Sequence, residues 1–476
     1  MDRRKRLAGL VVILIAAMIS IAAVLLWPAR NKTRISHRPV AASPPSAIED
    51  NTNTSILSKS EATEKTVRCL SALCETGASE VAVADTRDLI GSLGATHQPF
   101  ARDLSDLLES ILARRSELGS ASTRSQPNFS DISISLVNRA AAACEMRAQR
   151  KPDEIVLSFA GDCTFGTVNG DNSAFRFPAV YERSGEKNYP FALVSPWFVN
   201  DDLTVVNFEC TLTDASRTAD KQWKFKGPSP YAEIFPAGSV EAVGLSNNHS
   251  FDYLQAGFDD TVANFQKARV PEFYQNTPYV TTIKGVETVL IGDCTVVGEN
   301  TTVIGDAPER VIGEIKHYKK PDNIVIVVMH WGSELDTVPR TWQQDLGRQF
   351  IDAGADAVVG HHPHVVQGIE RYRGKYIAYS LGNFAFGGNS HARYPETFIF
   401  RLRFRALDGN MAVTDASIVP CLTTSSHVEN TSGVLVNNYQ PKPVFGDAAD
   451  RIASLVLMRS AELQYGVKKL NYLKLP

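Results

Sequence analysis

The sequence predicts an α/β layered sandwich, preceded by a transmembrane helix and a helical segment. Two observations carry that expectation. Five short apolar, β-branched runs each end in polar residues, and helical stretches separate several of them, the pattern of a layered α/β core. Ahead of them lies one long uncharged run, followed by apolar residues recurring every three or four positions. At roughly 100–200 residues per domain, the length allows about two to four units with a sizeable core. A net charge of −3 argues against a general nucleic-acid binder, which carries a basic excess. Seven cysteines are too few for a disulfide scaffold.

Residues 1–7 form a basic tail, with Arg3, Arg4, Lys5 and Arg6 opposing only Asp2. Residues 8–27 are twenty uncharged positions. At about 1.5 Å each they match the roughly 30 Å hydrocarbon core of a bilayer. The charge bias places the tail in the cytoplasm and sends the rest across as a single-pass signal-anchor. Removing the tail's +3 from −3 leaves −6 on the remainder. A cleaved signal peptide is the alternative, but its apolar core is usually about 7–15 residues and ends at a small-x-small site. This run ends in Leu25, Leu26, Trp27 and Pro28.

Residues 28–64 are rich in Pro, Ser, Thr and Ala and read as a flexible linker, because they bury too little apolar surface to offset ordering entropy. Residues 65–150 read as a helical segment. Leu89, Ile90 and Leu93, then Leu104, Leu107, Leu108, Ile111 and Leu112, recur at helical spacing, and no chemistry attaches to them. Cys69 and Cys74 sit there, in a compartment that permits a disulfide, but five helical positions apart they pair only if a helix ends between them.

The chemistry starts after Glu154. The five runs are residues 155–162 (IVLSFAGD), 203–209 (LTVVNFE), 242–249 (AVGLSNNH), 323–330 (NIVIVVMH) and 356–364 (DAVVGHHPH). Continuous apolar runs of this length are buried strands. Residues 257–268 and 341–353 are helical between them. Ligands in such folds gather beyond the carboxyl ends of the strands. Here the polar group comes last on every run, so five segments converge on one cleft. Asp162, Glu209, Asn248, His249, His330, His362 and His364 supply carboxylate, amide and imidazole donors. That set suits Zn, Mn, Fe or Mg. Five of the ten histidines, His249, His330, His361, His362 and His364, fall at these ends. Independent structural histidines have no reason to share that position.

The motifs GDCTFG (161–166), NFE (207–209), NNHSFDYLQAG (247–257), HWGSE (330–334), HHPHVVQGIE (361–370) and YSLGNFAF (379–386) together resemble bacterial CapA-type capsule-synthesis proteins. These are poly-gamma-glutamate biosynthesis and export proteins with a calcineurin-like metallophosphoesterase fold. The resemblance covers residues 153–425 and implies a layered metallophosphoesterase-like sandwich there. It implies Asp162 and His364 as ligands of a first divalent ion and Glu209 as the bridging carboxylate. Asn248, His330 and His362 would then hold a second ion. His249 resembles the cleft histidine that protonates or stabilises a leaving oxygen, with Asp252 orienting it. One or two ions would clamp an anionic group and activate water. It also implies an exported protein on the bacterial cytoplasmic (inner) membrane, working with surface-polymer synthesis or export proteins on an anionic polymer or phosphoester.

Two departures stand out, the first from general metallophosphoesterases and shared by CapA-type proteins, the second within the family motif. Thr164 occupies the position where general metallophosphoesterases carry a histidine ligand, and Leu254 stands where glycine is usual after Asp252 and Tyr253. Cys163 alternates away from Asp162 on a strand and reads as a packing residue. Asn207, Lys226, Glu334, Glu370 and Asn383 are candidate substrate or supporting contacts. Beyond the motifs, residues 396–404 and 411–420 form a hairpin around Asp408, Gly409 and Asn410. Residues 426–476 read as a C-terminal extension with a closing helix at 448–465.

Two functions follow. One is a metal-dependent hydrolase of a phosphoester or polymer linkage in capsule or poly-gamma-glutamate biosynthesis or export. The alternative is a non-catalytic metal- and polymer-binding accessory subunit of a surface-polymer assembly complex.

Overall fold

The computed structural model describes residues 153–472, apart from 172, 298–302, 306–307, 427 and 445. All lie in the unit Arg150–Pro476. The expected basic tail, membrane span, linker, helical segment and Cys69–Cys74 pair lie outside the described residues. Among the described residues no helix is long and apolar enough to cross a membrane.

The strands that build the site run β1 (Ile155–Thr164), β2 (Leu203–Phe208) and β3 (Ala242–Gly244), followed by helix α1 (Leu254–Ala268). Then come β4 (Glu272–Phe273), β5 (Tyr279–Ile283), β6 (Val286–Val297), α2 (Pro308–Tyr318), β7 (Ile324–Gly332), α3 (Thr341–Ala353) and β8 (Ala357–His361). The chain closes with β9 (Ile369–Tyr372), β10 (Lys375–Ala378), β11 (Asn383–Phe386), β12 (Glu396–Leu407), β13 (Asn410–Leu422), β14 (Lys442–Pro443) and α4 (Gly446–Ala461).

Two sheets result. The first has the order β14-β13-β12-β1-β2-β3-β4, with β11 pairing the end of β1. The second centres on β6-β7-β8-β10-β9, with β5 beside β6. β1, β2 and β3 are mutually parallel, as are β6, β7 and β8. Alternation decides which side chains meet between the sheets. Leu157 and Phe159 of β1 join Ile326 and Val328 of β7 and Val359 of β8 in the central core. The intervening Val325, Val327 and Met329 turn outward onto Val311 and Ile315 of α2 and Phe350 of α3. Helix α1 covers the first sheet, with the Phe265 and Phe208 rings 5.2 Å apart. The arrangement is therefore a layered α/β sandwich.

Four of the five expected runs end within two or three residues of the observed strands. The exception is 242–249, where the strand stops at Gly244. Beyond it Asn247 and Ser250 bond to one another in a turn, which holds the asparagines and His249 at the strand's mouth. β5, β6 and α2 are not singled out by the sequence. The hairpin and helix α3 fall where expected. Among the described residues beyond 426, β14 pairs with β13, and Ala453 and Val456 of α4 enter the central core. Ile369 N–H donates to Ser460 Oγ at 2.9 Å, tying α4 to β9.

Candidate metal centre

Each donor reaches the cleft for a local reason. In β1, Phe159 faces the core, so strict alternation would turn Asp162 away. The register with β2 shifts between Ala160 and Asp162, and this irregularity turns the carboxylate into the cleft. Gly161 allows β11 to approach, since a Cβ there would lie 2.0 Å from Gly382 O. His330 and His361 sit opposite one another in the β7–β8 ladder, on the core-facing parity of both strands. Past β8, His362 and His364 adopt φ of 96° and 57°, left-handed backbone that non-glycine residues rarely take. The His362 N–H donates to Asp162 Oδ2 at 3.3 Å, which fixes that turn. Such strain concentrates at functional sites.

The donors converge around Glu209, which is 0% exposed. His330 Nε2, His249 Nε2 and His364 Nε2 stand 3.5, 3.8 and 3.9 Å from its Oε1. Those separations are too long for hydrogen bonds, and among the described residues neither carboxylate oxygen has a hydrogen-bond partner. A buried carboxylate left so costs free energy unless a cation shares it. Donor atoms of Asp162, Glu209 and His330 lie within 4.8 Å of one another, as do those of Glu209, His362 and His364. The two groups share Glu209. Asp162 Oδ2 is also 3.3 Å from His364 Nδ1, and His362 Nδ1 is 3.1 Å from His330 Nε2. Asn248 Oδ1 is 2.8 Å from the same His330 nitrogen. Buried oxygen and nitrogen donors with an orphaned carboxylate at their centre fit a divalent cation.

Electrostatics match this crowding. Burial pushes the Glu209 carboxyl well above its ordinary value, with His364 opposing. Burial also drives His330 well below its usual range, with His362 adding to the shift, and takes His362 to about 3, with His364 adding. Burial opposes charge on His364 too, yet Glu209 and Asp162 raise it to about 10. Burial opposes charge on Asp162, yet the imidazoles of His361 and His364, each 3.3 Å from one of its oxygens, hold it well below the carboxylate range.

Beside the cluster stands a second unit. His249 Nδ1 pairs with Asp252 Oδ2 at 2.7 Å, leaving Nε2 turned toward Glu209. Asp252 also accepts from Lys221 Nζ at 2.8 Å and from Phe225 N–H at 2.7 Å. Lys221 further donates to Asn248 O at 2.8 Å, so one ammonium braces both neighbours of the cleft.

The supporting candidates divide. Asn207 donates to Asp162 Oδ1 at 2.7 Å and lies 3.1 Å from His330 Nδ1, setting both orientations. Asn383 Oδ1 is 2.9 Å from His364 Nδ1. Glu334 lines the pocket with His249 and His364. Two others are not brought to the cleft. Lys226 donates to Ala215 O at 3.0 Å and sits 4.7 Å over the Tyr253 ring, so its charge is spent on a loop. Glu370 is claimed by Arg348 and the Tyr379 hydroxyl. Cys163 is buried, with its thiol pushed up by burial, and Thr164 donates to Glu209 O at 2.9 Å. Sequence reasoning missed Lys221, whose only signal is its place two residues before the WKFKGP stretch. It also left His361 unassigned, although its Nδ1 lies 3.3 Å from Asp162 Oδ1.

The model of a family described as "Bacterial capsule synthesis protein PGA_cap" matches residues 156–388. The chain is 33% identical over 251 residues to the PGA biosynthesis protein CapA of Bacillus subtilis, covering 49% of this chain and 64% of that one. It is 29% identical over 277 residues to the capsule biosynthesis protein CapA of Bacillus anthracis, covering 54% and 65%. The matches thus span just under two thirds of these relatives' lengths. A solved calcineurin-like phosphoesterase, YfkN from Bacillus subtilis, aligns at a TM-score of 0.35 and 12% identity over 65% of this chain and 98% of that one. Residues 156–388, which carry every donor of the cleft, are the stretch that is similar to the bacterial capsule synthesis family.

Proposed function

We propose that this protein is a membrane-anchored, exported hydrolase acting in capsule or poly-gamma-glutamate biosynthesis or export. Its cleft holds one or two divalent ions and cleaves a phosphoester or a polymer linkage. The observation that carries the reading is Glu209, a fully buried carboxylate ringed by three imidazoles and hydrogen-bonded to none. Asp162, Glu209, Asn248, His330, His362 and His364 would hold the ions. When bound, they supply charge for an anionic substrate and acidify water near neutral pH. The chain itself does the rest. Asn207 and His361 fix Asp162. Asp252 engages His249 Nδ1, so Nε2 faces the reacting group and gives a proton to the leaving oxygen. Lys221 keeps Asp252 from turning away.

The uncharged run 8–27 behind a basic tail supports the anchor. A reporter fused after Pro476 that works only in the cytoplasm would overturn it. For the cleft, metal content and hydrolysis of bis-p-nitrophenyl phosphate with Mn²⁺ are measured on the full chain and on a His330→Ala, His362→Ala double variant. Equal metal in both would sink the assignment. One observation favours the accessory reading: Thr164 offers no ligand where general metallophosphoesterases carry an imidazole. Bound metal with no turnover on any phosphoester would select that reading.

A further inference from the structure

A pocket of 520 Å³ opens from the metal centre and shares His249, His364 and Asn383 with it. That volume is in the range of small-ligand sites. Aromatic rings lead outward from the histidines. The Phe225 ring lies 4.3 Å from His249, the Phe386 ring lies 5.0 Å from His364, and the two rings meet edge-on at 5.9 Å. Farther out, Trp223 and Tyr394 line the same pocket while remaining 52% and 40% exposed. Large rings left open to water beside a reacting centre are a standing cost unless a ligand covers them.

The charges decide what covers them. Arg176 is neutralised by Asp171 at 2.7 Å. Arg393 stacks on Tyr394 at 5.6 Å, and neither it nor Glu334, the pocket's carboxylate, forms an ion pair among the described residues. Outside the metal centre, that one unpaired cation and one unpaired anion offset one another among the described residues of the pocket wall. A chain with a negative charge on every unit would meet Glu334. A ring with one apolar face and several hydroxyls suits open aromatic platforms with short polar groups such as Ser390 and Asn389.

We infer that this pocket binds a saccharide unit of the molecule whose anionic linkage lies at the metal centre. The inference rests on the cleft being the reacting centre, and it narrows the substrate to a sugar-bearing one. The test is tryptophan fluorescence of the full chain titrated with three neutral trisaccharides: chitotriose, maltotriose and cellotriose. The expected result is saturable quenching by at least one of them. Trp223→Ala or Tyr394→Ala weakens binding about tenfold, and Arg393→Gln changes it less than about twofold. Titrations monitored by calorimetry keep the Trp223→Ala result readable without its fluorophore. No response to any of the three overturns the inference. So does tighter binding of a decaglutamate that depends on Arg393, or of adenosine monophosphate that depends on Trp223. Repeating the titration after chelation separates the two readings. Sugar binding that survives without metal supports the pocket even where metal assays fail. A metal-loaded protein blind to sugars leaves the centre intact and removes the pocket.

Discussion

Glu209 and Glu370 are both 0% exposed, yet they do opposite things. Glu370 takes two bonds from Arg348, at 2.6 and 3.1 Å, one from the Tyr379 hydroxyl at 2.9 Å and one from Tyr465 N–H at 3.0 Å. Glu209 takes none. The first ties α3, β9 and the C-terminal segment together with its valences filled. The second keeps its valences open at the mouth of the sheets. A buried carboxylate with complete partners is architecture, and one without them is a candidate ligand for a cation.

The contrast breaks most visibly on the Glu370 side. Glu370→Ala leaves Arg348 largely buried with only the 3.7 Å pair to Asp345 in place of its bidentate partner, at an expected cost of about 3–5 kcal/mol in urea unfolding, with metal content per folded molecule unchanged. A variant that keeps its stability but loses metal would reverse the roles assigned to the two residues. Glu209→Gln is expected to do the converse. Metal falls to less than about a tenth of the wild-type content, while the metal-free form holds steady or gains up to ~1–3 kcal/mol because a buried charge is gone. Chelation should lower the wild-type unfolding midpoint, by ~2.7 kcal/mol from a state loaded at a hundred times Kd, and leave Glu209→Gln unmoved.

A smaller effect is read by pH on metal-free protein. His362 titrates at about 3 when folded, against 6.5 for the free side chain. Its contribution is therefore intact above pH 6.5 and drains away as pH falls toward 3, because the unfolded chain takes up the proton first. His330, also held low, acts in the same direction. His362→Asn should flatten the fall in urea midpoint across that window, and an unchanged slope would show that burial there is relieved by water. The smallest effect is at Leu254, whose φ of 58° is left-handed. Glycine fits that turn without strain, so Leu254→Gly is expected to stay within ~1 kcal/mol of wild type, its lost packing offset by relief of the backbone. A loss beyond that in thermal unfolding would make Leu254 a packing residue first.

Much of this was legible in sequence, for a reason that also sets its limit. The donors sit at the ends of apolar runs, and chain direction alone sends those ends to one side of a parallel sheet. Strands β5 and β6 carry no such terminal signal, so nothing marked Val286–Val297 as the partner of β7. The shift that turns Asp162 inward leaves no trace in residue type. Glu209 was legible as a bridging carboxylate through the resemblance, and Glu370 was expected to support the cleft, which it does not. What separates them is Arg348, on a helix that sequence spacing does not relate to either. Lys221 belongs to a polar loop where one more lysine is unremarkable, and only the fold brings it to Asp252.

The place of β12 has a practical meaning for anyone cutting this gene. The family model's match ends at residue 388, but β1, which delivers Asp162, is flanked on one side by Glu396–Leu407 and braced beyond it by Asn410–Leu422. A fragment trimmed to the region of likeness would expose a bare hydrogen-bonding edge beside the first ligand and an apolar floor stripped of α4. Such an edge recruits other chains, so the trimmed protein should precipitate rather than report a weak activity. The matched stretch is shorter than the unit that folds.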